Sequence, residues 1–115
     1  MIKYQPQQGD IVWVNLEPQA GHEQKGRRPA LVISNNTFNN FTRKMAMVLP
    51  ITNTNKNLPI HIQLNEKTKT TGVILCDQAK VLDLEKRDAE FIEKVPKSIL
   101  LEAVDIVYSI IEIEE

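Results

Sequence analysis

Asp10-Ile11-Val12-Trp13-Val14-Asn15-Leu16 decides the class of fold: it follows a period of two, is rich in β-prone residues and stops at Glu17-Pro18. It reads as a strand. Pro29-Ala30-Leu31-Val32-Ile33-Ser34 is a short apolar run opened by proline and closed by an Asn/Thr turn cluster, which suits a strand covered on both faces. Met45 to Thr52 is a third strand, and Pro50 inside it implies an edge position or a bulge. Pro59 to Leu64, Gly72 to Cys76 and Gln78 to Leu82 add shorter ones. The period then changes: Ile99, Leu100, Ala103, Val104, Val107, Ile110 and Ile111 recur at three and four, with Pro96 at or just before the first turn. Five or six strands followed by one amphipathic helix predict a mainly β fold, a small barrel with a C-terminal helix.

Composition bounds the rest. With 115 residues, 42% hydrophobic and 5% aromatic, the chain fits one domain, residues 1–115, burying roughly two-thirds of its unfolded surface. Cys76 is the only cysteine, which rules out an internal disulfide and makes a reducing, cytoplasmic setting the expectation. The longest apolar run, Met45 to Leu49, is far short of the roughly 20 residues that cross a membrane, and the opening MIKYQPQQGD does not read as a secretory signal. The net charge of -1 hides a split. Residues 1–80 carry ten basic side chains against five acidic, and residues 81–115 four against ten. Lys25, Arg27 and Arg28, with Arg43 and Lys44, form an anion footprint, unless the asymmetry only solubilises two faces.

Between the first two strands, Gln19 to Pro29 holds two glycines, an acid, amides and three cations, too dense in chemistry for a plain connector. Pro29 pushes Arg28 towards extended backbone and so aims its guanidinium, whereas Arg27 is freer. Thr52, beyond Pro50, offers a hydroxyl, and a hydroxyl with a guanidinium can hold a phosphate. Asn35 to Phe41 either reads bases with amides and stacks them on Phe38 or Phe41, or is an Asn-rich turn anchored by a buried ring. Asp77-Gln78 lines the same groove or is a strand-end turn. Cys76 reads as core, His61 as the outer face of a strand, and Trp13 as core or dimer contact. Two histidines and one cysteine make no obvious zinc set.

The runs GDIVWVNLEP, GHEQKGRRPALVIS, LPIT and GVILCDQAKVLD, in that order, resemble the MazF/PemK family of toxin endoribonucleases over nearly the whole chain. Gly21, Glu23, Gln24, Gly26, Arg28 and Pro29 meet that family's loop pattern, while His22 and Lys25 depart from it. The resemblance implies an SH3-like barrel and a cytoplasmic, homodimeric toxin that cuts single-stranded RNA, mainly messenger RNA, at short sequences, without metal or other cofactor. It also implies silencing by a cognate, MazE-like antitoxin. Arg28 and Thr52 fall on the family's catalytic pair and Glu23 on an acid of the same site. In such a cut the ribose 2'-hydroxyl attacks phosphorus; Arg28 stabilises the growing charge, and Glu23 takes the proton or orients Arg28, with His22 a second candidate base. Lys25, Arg27, Arg43, Lys44 and Lys56 are expected on phosphates, with Gln24, His22, Phe41 and Gln78 also on the RNA. Two other readings share the fold: a gyrase-poison-type toxin that binds protein through its helix, and a module that holds RNA without cutting it.

Overall fold

The computed structural model describes residues 4–16, 26–54 and 58–115. They form β1 (Asp10–Asn15), β2 (Arg27–Val32), α1 (Asn36–Phe41), β3 (Met45–Thr52), β4 (His61–Gln63), β5 (Val73–Leu75), β6 (Lys80–Asp83), β7 (Glu90–Lys94) and α2 (Lys97–Ile111). The strands join in one antiparallel sheet of order β4-β5-β3-β2-β1-β7, with β6 also paired to β3. The mainly β fold with a closing helix is the one predicted from the sequence. The sheet runs open from β4 to β7, so barrel describes it only loosely.

β3 is the central strand. Val48 pairs with Val32 of β2 on one side and Lys80 of β6 on the other, so the edge position that Pro50 suggested is not taken. A proline lacks the N–H that a ladder needs, and β3 places it where one partner gives way to the next: β6 covers Met45 to Val48, and β5 takes Ile51 and Thr52. On the other side, the β2–β3 ladder stops at Ala30↔Pro50, one residue from Pro29.

Both faces of the sheet are covered, which explains why Ala30 to Val32 and Val73 to Leu75 are apolar without alternation. Ile11, Leu31, Leu49, Ile51 and Ile74 pack on one face beneath Ile99 and Ala103 of α2. Val12, Val14, Val32, Val48 and Leu82 fill the other. The predicted helix is present, but its apolar stripe is only partly used, since Leu101, Tyr108, Ile110 and Ile111 stay exposed.

Two elements lie outside the sequence reading. In β7, Glu-Phe-Ile-Glu-Lys dilutes the strand signal with charge, yet it pairs along β1 with a bulge between Ile11 and Val12. α1 is short and capped by Asn35, whose Oδ1 accepts from the Phe38 amide at 2.8 Å. Its anchor is neither ring. Asn39, 0% exposed, accepts from Ser34 Oγ at 2.6 Å and donates to the carbonyls of Ser34 (3.2 Å) and Pro6 (3.4 Å), while Phe41 is 87% exposed.

Candidate active site

Where β2 and β3 diverge beyond Ala30↔Pro50, a cavity of about 400 Å³ opens. The ladder's register, Val32↔Val48 to Ala30↔Pro50, carried two residues further sets Arg28 level with Thr52 across the gap. Both residues line it. Thr52 is 4% exposed and its Oγ1 accepts from the Thr54 amide at 3.2 Å. A hydroxyl that accepts in this way keeps its own hydrogen to donate. Arg28 is half-buried on extended backbone next to Pro29, so a guanidinium and a hydroxyl face a common space with the chemistry to grip two oxygens of a phosphate.

Arg27 also lines the cavity, and it has partners of its own. Its Nη2 donates to the Asp88 carbonyl at 2.9 Å and is ion-paired with Glu90. The reason is the neighbouring strand: β1 carries Asn15 opposite Arg27, and the turn into β7 follows alongside, so the exposed side chain finds acceptors in that turn, at Asp88, and at the first residue of β7, Glu90.

The remaining lining comes from residues whose role the sequence did not reveal. Trp13, expected in the core or at a dimer contact, is 43% exposed and forms one wall with Ile92 of β7. The rest of the lining is Asn53 with Lys69, Thr70 and Thr71. Lys69 and Thr70 are tied to the Glu93 carboxylate on β7, and Thr71 Oγ1 donates to Asn53 Oδ1 at 3.0 Å. Burial alone would raise the Glu93 pKa; the hydrogen bonds from Thr70 and Lys69, and the Lys69 charge, outweigh it and hold the carboxyl below its ordinary value.

The other candidates lie elsewhere or beyond view. His22, Glu23, Gln24, Lys25 and Lys56 fall outside the described residues. Phe41, Arg43 and Lys44 precede β3 and so stand at the end of that strand away from Thr52, roughly 25 Å along an extended chain. Arg43 and Lys44 adopt left-handed backbone there (φ 57° and 77°), a tight turn into β3. Gln78 belongs to the turn after β5, its amide donating to the Leu75 carbonyl at 3.1 Å, and is not among the cavity's lining residues. Asp77 in the same turn lies 2.9 Å from His61 Nε2. That contact corrects the reading of His61: the imidazole is 3% exposed, because β4 is three residues long and the β5–β6 turn folds over its outward side. Cys76 is a core residue, its thiol pushed up to about 12 by burial and then by the charges of Asp77 and Glu102. Among the described residues no cluster of His, Cys, Asp or Glu could hold a metal ion, and no helix is long and apolar enough to cross a membrane.

Known proteins are similar to this chain in sequence and in fold. Endoribonuclease PemK of Escherichia coli is 37% identical over 100 residues, covering 84% of this chain and 74% of its own. Endoribonuclease toxin MazF of Escherichia coli K12 is 38% identical over 87 residues, 76% of this chain and 77% of its own. The crystal structure of MazF from Deinococcus radiodurans superposes with a TM-score of 0.89 at 37% identity, covering 96% of this chain and 99% of the other, and one of its complexes with MazE does so with 0.83. Residues 7–110 match the family model of the PemK-like, MazF-like toxins of type II toxin-antitoxin systems, and the chain belongs to that family.

Proposed function

We propose that this chain is the toxin of a toxin-antitoxin pair, a single-domain cytoplasmic endoribonuclease that cuts single-stranded RNA at the cavity between β2 and β3. The observation that carries this is the meeting of Arg28 and Thr52 at one cavity. The activity of relatives named as endoribonucleases supports it.

The cut uses the substrate's own nucleophile. The 2'-oxygen forms a bond to phosphorus while the bond from phosphorus to the 5'-oxygen breaks, giving a 2',3'-cyclic phosphate and a 5'-hydroxyl. DNA, lacking the 2'-hydroxyl, survives. Negative charge grows on the phosphoryl oxygens, and Arg28 meets it with a planar fork of N–H donors that can grip two of them. Thr52 holds the phosphate by donating its hydroxyl hydrogen. The 2'-proton goes to Glu23 or His22, the departing 5'-oxygen takes up a proton from water to become the 5'-hydroxyl, and Glu23 has the alternative task of orienting Arg28. No step calls for a metal. Trp13 offers a ring face beside the phosphate for an unpaired base. Lys25 and Lys56 contribute phosphate contacts, and Arg43 and Lys44, at the far end of β3, serve a more distant stretch of strand. The partners are a second copy of the chain and an antitoxin; the MazE-MazF complexes among the structural neighbours support the latter. An acidic antitoxin segment would compete with RNA for the same cations.

The exposed apolar residues of α2 favour a second reading, a toxin that binds protein through this helix and cuts nothing. Purified protein incubated with single-stranded RNA in excess chelator separates the two. Fragments ending in cyclic phosphate are expected, with Arg28→Ala losing at least about 10³-fold in rate at unchanged fold. Intact RNA, or an Arg28→Ala protein that cuts like the parent, overturns the proposal.

A further inference from the structure

Glu93 stands on β7, outside the cavity's lining, yet its carboxylate is committed to a segment that lines the same cavity as Arg28. Oε1 accepts from the Lys69 amide at 3.1 Å, and Oε2 accepts from the Thr70 amide at 2.7 Å and the Thr70 hydroxyl at 2.8 Å. The same segment is tied at its other end to the tip of β3. Thr71 Oγ1 donates to Asn53 Oδ1 at 3.0 Å, and Gly72 at φ +114° packs so closely that a Cβ there would stand 2.4 Å from the Thr52 carbonyl oxygen. Within it, Thr68 Oγ1 donates to the Thr70 carbonyl at 2.7 Å. Residues 68–72 are thus a strap stretched from β7 to the end of β3.

The strap carries one cation, Lys69, to the cavity. A lysine on an unanchored turn must order its backbone as well as its side chain before it can hold a phosphate, and much of its Coulomb gain is lost in doing so. Here the backbone is ordered in advance. Both Glu93 oxygens are engaged by donors of the strap itself, so the carboxylate fixes where the lysine starts from. Arg28 and Thr52 already account for the phosphate being cut, which leaves Lys69 suited to another phosphate of the same strand.

We propose that Lys69 forms a second phosphate subsite of this cavity, taking an RNA phosphate other than the scissile one, and that Glu93 is the positioning residue that holds Lys69 in place without touching RNA. This rests on the assignment of Arg28 and Thr52 to the cut.

The test is a double-mutant cycle on the full-length protein, with a short single-stranded RNA that contains a cleavage site mapped on long RNA. Lys69→Gln is expected to raise KM about tenfold with kcat within about threefold of the parent, and to lower the slope of log KM against log salt by about 0.7, the signature of one lost phosphate contact on a single strand. Glu93→Ala is expected to reproduce the rise in KM and the loss of slope, and to add little once Lys69 is already replaced. Glu93→Gln, which keeps the size and one acceptor oxygen, is expected to fall between parent and Glu93→Ala and serves where the alanine variant does not fold. A Glu93 variant that melts lower but keeps the parental KM and salt slope reduces the residue to a structural strut and overturns the proposal. So does a full Glu93 effect in the Lys69→Gln background. Lys69→Gln with parental KM, in a protein that cuts RNA and loses the cut with Arg28→Ala, overturns this subsite alone; a parent that cuts no RNA takes down both this and the reading beneath it.

Discussion

Replacing Gly72 by alanine tests how the cavity is held together. Gly72 has φ +114°, a region in which a side-chain-bearing residue costs about 1–3 kcal/mol. The added Cβ would also stand 2.4 Å from the Thr52 carbonyl oxygen and 2.9 Å from its carbon, so strap and strand must separate by on the order of 1 Å before contact is normal. Forced overpacking of this kind adds about 1–3 kcal/mol. Gly26 supplies the control: it too has positive φ (+80°), but a Cβ there meets nothing within 4 Å, so Gly26→Ala carries the conformational cost alone, about 1–2 kcal/mol. At about 2.1 cal/mol/K per residue over 115 residues, each kcal/mol is worth about 4 °C in Tm. Thermal unfolding at equal protein concentration should therefore show a loss of about 4–8 °C for Gly26→Ala and about 8–24 °C for Gly72→Ala, the overpacking alone setting Gly72→Ala at least about 4 °C below Gly26→Ala. Because the displaced group is Thr52, RNA cleavage measured well below both transitions should fall by about 10²-fold in Gly72→Ala, the usual penalty for a 1 Å misplacement at a reacting centre. Two variants that melt within about 2 °C of each other, or a destabilised Gly72→Ala that cuts at the parental rate, would refute the claim that the strap is seated on Thr52.

Asn39→Ala should cost about 2–3 kcal/mol in denaturant unfolding, since it removes a fully buried amide and strands the Ser34 hydroxyl and two carbonyls that now use it; a loss below about 1 kcal/mol would mean that α1 is held by something else. Glu93 should leave a mark on acid stability: its folded pKa lies below the unfolded value, so its contribution is complete above about pH 4.3 and fades as pH falls through the folded value. The stability gap between the parent and Glu93→Gln should accordingly narrow on acidification below that point, and a gap that stays constant from pH 7 to pH 3 would contradict the assignment.

The strands were legible where burial is simple, and misjudged where one residue serves two neighbours. β1 and the onset of α2 follow directly from their periods, and β3 from its apolar run. Pro50 was read as marking an edge or a bulge, and the edge alternative fails because the usual argument asks only whether a ladder bond is lost; it does not ask whether the ladder is changing partners at that residue, as β3 does between β6 and β5. β7 was invisible for a related reason. Its charged residues have partners on other elements, Glu90 with Arg27 and Glu93 with the strap, and such long-range pairing leaves no local pattern. His61 was placed outward by alternation, which says which side of the strand a residue takes but not whether a turn such as Asp77-Gln78 will close over that side.

The site divides along the same line. Arg28 and Thr52 were marked by their prolines and by the family pattern, and the two prolines turn out to be structural causes as well as signposts: with Pro29 beside it, the Ala30↔Pro50 pair is the last rung before β2 and β3 part. The opening that results is lined further by Lys-Thr-Thr at 69–71, a stretch that looks in sequence like any polar turn. The signal that could have exposed it is Gly72, since a glycine directly before the apolar run Val73-Ile74-Leu75 is costly in a strand unless another backbone must come close. In this chain the backbone that comes close is that of Thr52. The same contact that excludes a side chain at 72 thus fixes the distance between the hydroxyl assigned to the cut phosphate and the lysine assigned to its neighbour, and a change that loosens it should affect both phosphates together.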